Sequence, residues 1–192
     1  MLYSLLLAGG NSSRMGQDKR QLKHEGKTLL EKALKLLEMS DADEILISGD
    51  VQGHECIQDM VPGCGPLGGL HAALHFMQEQ GVLDEALLLV IPVDMPLLQV
   101  DTLTRLVDGI GNGDSCRYEK EVFPCVFKAS SMLLEHLDDL LADSTELGGM
   151  RSMKALLEFG NPVTLEAASV PSSTFLNLNN PQDWQAYVSG IQ

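Results

Sequence analysis

The sequence predicts an α/β fold built on a mainly parallel sheet. Three observations carry that prediction. Short continuous apolar runs, Leu2–Leu7 ("LYSLLL") and "EALLLVI" at residues 85–91, read as strands buried on both faces. Segments with apolar residues at helical spacing lie between such runs. The two kinds alternate along most of the chain, which implies right-handed crossovers and a three-layer arrangement with helices on both faces of a twisted sheet.

The elements follow in order. After the first strand, residues 29–39 carry Leu29, Leu30, Ala33, Leu34, Leu36 and Leu37 at helical spacing. Glu44–Ser48 ("EILIS") is a second strand that stops at Gly49. Residues 69–80 form a helix behind a Gly-Pro-rich turn, and residues 85–91 are the central strand. Residues 101–110 are helical, with Asp101 as N-cap. Residues 121–127 ("EVFPCVF") are strand-like, but Pro124 assigns them to an edge or a bulge. Residues 131–141 make an amphipathic helix and 153–159 a short one. A last strand at 175–178 leads through an Asn-Asn-Pro turn into a helix from Gln182. The polar stretch 111–120 is an excursion. No linker or repeat interrupts the chain, so residues 1–192 are expected to be one domain.

Composition narrows the function. A net charge of −14 argues against a nucleic-acid binder, which needs a basic face. It leaves room for a small anionic substrate, because a few placed cations and a metal set the local field. No window approaches the ~20 apolar residues of a membrane span, and the N-terminus lacks a basic leader. The cytoplasm is therefore the expected setting, with no membrane partner. Cys56, Cys64, Cys116 and Cys125 fit neither a CxxC nor a zinc spacing and read as reduced thiols in or near the core.

On open α/β sheets, ligands bind outside the carboxyl ends of the strands, which points at the turns 8–19, 48–53 and 92–96. The first turn reads "AGGNSSRMGQDK". Gly9 and Gly10 remove side chains where the backbone must turn sharply or approach a ligand. Successive N–H groups in such a turn form an anion-binding concavity, and Arg14 and Lys19 add positive charge. Arg14 could instead brace the loop. The stretch is neither GxGxxG nor GxxxxGK[ST]. In the third turn, Asp94 follows the central strand between Pro92 and Pro96. It could cap a helix or bind Mg²⁺, which takes oxygen ligands and usually one or two carboxylates. His71 and His75 share an i, i+4 face and could bind a metal in principle, but the sequence gives them no third ligand.

"LAGGNSSRMGQDKRQLKHEGKTLLEKAL" resembles the signature of nucleotidyltransferases that activate sugars and cofactors, and within them the molybdenum-cofactor guanylyltransferase (MobA-type) branch. "GPLGGLHAAL", "IPVDMP", "FPCVF", "GMRSMKALLE" and "FLNLNNPQDW" are similar, in order, to later segments of that family. The resemblance implies a Rossmann-like nucleotidyltransferase fold. It implies that the backbone of Leu7, Ala8 and Gly9 lines the nucleotide pocket, joined by Gly10, and that Lys19 reaches the triphosphate. It makes Asp94 the Mg²⁺ ligand, Asn179 a holder of metal or phosphates, and Asp59 the contact to the guanine edge. Asn177 would share a strand face with Asn179. The family carries an asparagine in a stretch similar to "ISGD", where this chain has Asp50 or Gly49.

The activity so implied is transfer of GMP from GTP to the terminal phosphate of a molybdopterin-type acceptor. Lys19, Asp94 and Arg14 would be its catalytic groups and Mg²⁺ its cofactor. Arg117 and Arg151 are candidate partners of the acceptor phosphate. Transient contact with other cofactor-biosynthesis proteins or molybdoenzyme chaperones would follow. The rival readings are a cytidylyltransferase or sugar-phosphate nucleotidyltransferase of the same superfamily, and a non-catalytic nucleotide-binding module.

Overall fold

The computed structural model describes residues 1–9, 18–142 and 152–190. Its six-stranded sheet has the order β4-β1-β5-β7-β6-β8. These strands are β1 (Leu2–Leu7), β4 (Glu44–Ser48), β5 (Ala86–Pro92), β6 (Ser115–Tyr118), β7 (Cys125–Ala129) and β8 (Pro162–Leu165). A small antiparallel hairpin pairs β2 (Lys23–His24) with β3 (Lys27–Thr28). The first three sheet strands are parallel, β7 runs antiparallel to β5 and β6, and β8 pairs with β6 in parallel.

Helices α1 (Leu29–Glu38), α3 (Val100–Gly109) and α6 (Pro181–Val188) supply residues to one apolar cluster. Helices α2 (Pro66–Glu79), α4 (Ser131–Ala142) and α5 (Met153–Leu156) supply the other. Strand residues divide between the clusters by alternation. Leu6, Leu89 and Ile91 go to the first, and Leu5, Leu7, Leu88 and Val90 to the second. A strand covered on both faces reads as a nearly continuous apolar run, which explains "ALLLVIP" and, with buried Ser4 as the exception, "LYSLLL".

Two capping boxes anchor the outer helices. The Glu31 N–H donates to Thr28 Oγ1 (3.0 Å) and the Thr28 N–H to Glu31 Oε2 (2.6 Å). Asn180 and Asp183 repeat the arrangement at α6, where Pro181 takes the first helical position.

The structure corrects several expectations. Helix α2 begins at Pro66, ahead of the expected residue 69, because the Gly-Pro turn itself enters the helix. The N-cap of α3 is Gln99, and Asp101 lies inside the first turn. Pro124 stands just ahead of β7, so its missing N–H takes no ladder bond and β7 sits inside the sheet rather than at an edge. The polar excursion contains β6, and β8 joins the sheet beside it. Residues 175–178 form no strand: a 3₁₀ turn spans Ser172–Phe175, and extended chain follows. Among the described residues no helix is long and apolar enough to cross a membrane.

Candidate functional site

Strands β1, β4 and β5 end together, and their following turns meet at one edge of the sheet. The Ala8 N–H donates to the Ser48 carbonyl (2.9 Å) and the Val93 N–H to the Leu7 carbonyl (3.1 Å). The turns after β1 and β4 touch backbone to backbone. Gly49 has φ +121°, and a Cβ placed on it would stand 2.7 Å from the Gly9 nitrogen. That packing admits only glycine at position 49. Asp50 follows with its side chain exposed.

Leu7, Gly9, Ser48, Gly49, Asp59, Gly65 and Pro66 line a cleft at this edge. Its far wall is the start of α2, drawn in by two glycines. A Cβ on Gly69 would lie 2.5 Å from Ser48 Oγ and 2.9 Å from Leu7 Cδ2, and one on Gly68 would lie 2.9 Å from Asp59 Oδ2. The "GPLGG" stretch thus lets a helix press against strand ends and against the Asp59 carboxylate. Ser48 Oγ donates to Asp59 Oδ1 at 3.3 Å, which orients that carboxylate at the mouth of the cleft.

Asp94 lies two residues beyond β5 and is 5% exposed. Its Oδ2 accepts from Lys19 Nζ, at the start of the 3₁₀ turn Lys19–Gln21. Its Oδ1 is buried with no hydrogen-bond partner among the described residues. The Leu178 N–H donates to the Asp94 carbonyl (2.9 Å), so the segment ahead of α6 runs beside it. Within that segment Asn177 Oδ1 is likewise buried and unpartnered, whereas Asn179 is exposed and its N–H donates to Asp183. Two orphaned buried oxygens, one carrying charge, suit a hard divalent cation, which takes oxygen ligands.

Arg20 is the residue that sequence reasoning missed. Its guanidinium grips Asp18 through Nε–Oδ1 (2.9 Å) and Nη2–Oδ2 (2.8 Å), and Nη1 donates to the Asp50 carbonyl and, at 3.5 Å, to that of Ala8. These bonds tie the end of the first loop to the ends of β1 and β4. The Arg20 hydrogen bonds hold the Asp18 carboxyl below its ordinary range, against a smaller opposing effect of burial. The signal available in the sequence was the close Asp18–Arg20 spacing; the carbonyl partners leave no mark on residue type.

Of the remaining expected residues, Arg117 does not line the cleft. Arg117 Nη2 donates to Glu158 Oε1 (2.7 Å), so its fork is already engaged by a carboxylate. Gly10, Arg14 and Arg151 lie outside the described residues. All four cysteines are free, with Cys116 and Cys125 buried and Cys56 and Cys64 half-buried.

A mainly parallel sheet with helices on both faces and a glycine-walled cleft at its carboxyl edge defines the class, a Rossmann-like α/β fold with a ligand cleft at the strand ends. The crystal structure of molybdopterin-guanine dinucleotide biosynthesis protein A from Archaeoglobus fulgidus superposes with a TM-score of 0.74 at 22% identity, covering 98% of this chain and 97% of that one. A 4-diphosphocytidyl-2C-methyl-D-erythritol synthase from Anaerococcus prevotii superposes at 0.70 with 11% identity, covering 100% and 96%. At these identities both likenesses concern the fold. Residues 4–159 match the family model described as MobA-like NTP transferase domain. A molybdenum cofactor guanylyltransferase of Xanthomonas euvesicatoria is 32% identical over 96% of this chain and 93% of its own length. The chain belongs to the MobA-like NTP transferase family.

Proposed function

We propose that this protein transfers GMP from GTP to the terminal phosphate of molybdenum-loaded molybdopterin, yielding the guanine dinucleotide cofactor and pyrophosphate. Asp94 is the observation that carries the reading: a buried carboxylate just past the end of a central strand, paired with one lysine and keeping one oxygen without a partner among the described residues. Similarity to the Xanthomonas guanylyltransferase over nearly the whole chain supports it.

The acceptor phosphate is already anionic, so the reaction needs no protein nucleophile or general base. Catalysis is then positioning and charge neutralisation. In this reading Lys19 leaves Asp94 and binds the departing pyrophosphate, while the amides after Leu7, with Gly10 and Arg14, cradle the phosphates. Asp94 would hold Mg²⁺ with an asparagine of the last segment, and the buried Oδ1 favours Asn177 alongside the expected Asn179. When bound, the ion would neutralise charge on the reacting phosphates. Asp59, oriented by Ser48, would accept from the adjacent N1–H and N2 donors of guanine, a pair that adenine lacks. Asp50 would meet the base through its neighbourhood with Gly49. A cytoplasmic setting and transient contact with cofactor-biosynthesis proteins or molybdoenzyme chaperones belong to the same proposal.

The test is pyrophosphate release with each nucleotide, with Mg²⁺ and the molybdenum-loaded pterin as acceptor. GTP should be preferred over ATP, CTP and UTP by roughly tenfold to a hundredfold, the worth of a mismatched polar pair. Asp59→Asn should erase most of that preference. Better turnover with CTP would replace the guanylyl reading by the cytidylyl one. GTP binding without pyrophosphate release would make the protein a nucleotide-binding module.

A further inference from the structure

Away from the cleft, three ligand-type side chains converge between α2 and α4. His71 and His75 stand one turn apart on α2, and Asp138 faces them from α4. Asp138 Oδ1 lies 2.6 Å from His71 Nε2 and 3.2 Å from His75 Nε2, and the two Nε2 atoms are 3.1 Å apart. The rings meet edge to face with centroids 4.5 Å apart.

Hydrogen bonds alone satisfy this triangle poorly. With both imidazoles neutral and donating to Asp138 through Nε2, their two N–H groups confront each other. If one Nε2 is left unprotonated so that it accepts from the other ring, it loses its bond to the carboxylate, which only accepts. His71 is almost fully buried, yet its Nδ1 has no partner among the described residues. Among the described residues nothing on that side of the ring fixes its tautomer, and the contacts that hold the ring act at Nε2.

We propose that His71, His75 and Asp138 form a binding site for one transition-metal ion of the Zn²⁺ class, distinct from the oxygen-lined surroundings of Asp94. A metal accepts all three lone pairs at once. Zinc–nitrogen and zinc–oxygen bonds of about 2.0–2.2 Å in a tetrahedron put ligand atoms about 3.3–3.5 Å apart. The observed triangle reaches that spacing if Asp138, whose side chain is 48% exposed, withdraws by less than about 1 Å and the two imidazoles, now 3.1 Å apart at Nε2, part by a few tenths of an ångström. The half-exposed His75 and Asp138 leave the fourth position open to water. Two imidazoles and one carboxylate favour Zn²⁺, Co²⁺, Ni²⁺ or Cu²⁺ over Mg²⁺ and Ca²⁺. Bound there, the ion would staple α2 to α4, and α2 is the helix whose first turn walls the cleft.

The test uses the full chain carrying Cys56→Ser and Cys64→Ser, which removes the accessible thiols as competing ligands. After treatment with chelator, the protein is titrated with Co²⁺, read by visible absorption, and with Zn²⁺ against a chromophoric chelator. One equivalent should bind, and a hundredfold excess of Mg²⁺ should not displace it. Zn²⁺ at a hundred times its Kd should raise Tm by about 5–10 °C. His75→Ala and Asp138→Asn should each weaken binding by a hundredfold or more, beyond the 10–100-fold typical of partners outside the ligand set. Both positions reach solvent, so the metal-free variants should melt near the parent. Undiminished binding in both variants, displacement by Mg²⁺, or no binding tighter than about millimolar would each overturn the assignment.

Discussion

Replacing Lys19 tests the core of the site. The Asp94 side chain is 7% exposed and that of Lys19 is 21% exposed. Without the ammonium, a nearly buried carboxyl group would be left with neither oxygen paired among the described residues. Removing one partner of a fully buried ion pair costs about 3–5 kcal/mol. Water at the partly open Lys19 end reduces that to roughly 2–3 kcal/mol. For a chain of this size, about 2–4 °C per kcal/mol makes this a fall in Tm of roughly 5–10 °C. Lys19→Met, which keeps most of the apolar stem, should show it, and Asp94→Asn in the same chain should restore most of the loss because the uncompensated charge is gone. Mg²⁺ should raise the Tm of Lys19→Met more than that of the parent, since no ammonium competes for the carboxylate. Turnover should fall by about a hundredfold in either single variant if these groups neutralise developing charge. Calorimetric melting of the four proteins with and without Mg²⁺ decides the matter. A Lys19→Met variant that melts within 1 °C of the parent, or a double variant whose losses simply add, would refute the reasoning.

Two further predictions follow from the same edge of the sheet. Gly69→Ala should cost about 1–3 kcal/mol in denaturant unfolding and weaken GTP binding, because its Cβ meets Ser48 and Leu7 at 2.5 and 2.9 Å. Gly9→Ala, whose Cβ finds its nearest neighbour at 3.7 Å, should leave stability close to the parent. The Asp18–Arg20 pair should appear in the acid limb of stability. Its carboxyl is held below the unfolded value, so its contribution is complete above the ordinary carboxylate range and disappears as pH falls through the lowered folded value. Asp18→Asn should therefore cost up to about 1 kcal/mol at pH 7, the scale of a partly exposed pair, and converge with the parent in strong acid. A gap that persists unchanged in acid would remove the carboxylate from the explanation.

Strands covered on both faces were legible, because burial there favours apolar residues at nearly every position; β1, with Ser4 as its one small polar residue, and β5 are the examples. Strands β6 ("SCRY") and β8 ("PVTL") were not. Both are four residues long; β8 is the edge strand, where polar side chains reach solvent, and in buried β6 the Ser115 and Tyr118 hydroxyls donate to the Leu157 and Thr102 carbonyls. Residues 175–178 mislead in the other direction. "FLNL" alternates like a strand, yet Leu178 joins its neighbour through one amide on the Asp94 carbonyl and no ladder forms. Asp94 stood out as a carboxylate at the end of an apolar run. Arg20 did not, since two of its partners are backbone carbonyls. Asp138 could not be paired with His71 and His75 either, because only the packing of α2 on α4 brings together residues 67 and 63 positions apart in sequence.

The bond from Leu178 to Asp94 also imposes an order in time. During synthesis every strand of the six-stranded sheet, through Leu165, leaves the ribosome before Leu178 does. A chain synthesised only through β8 already contains every residue of the sheet and of the cleft lining, and Lys19, but not the amide that closes on the Asp94 backbone. Folding that proceeds from the N-terminus during translation thus builds the scaffold first and the finished carboxylate last. The closing segment lies beyond the matched residues 4–159, so a fragment cut to that match would keep the whole cleft lining and lose the piece that backs its acidic residue.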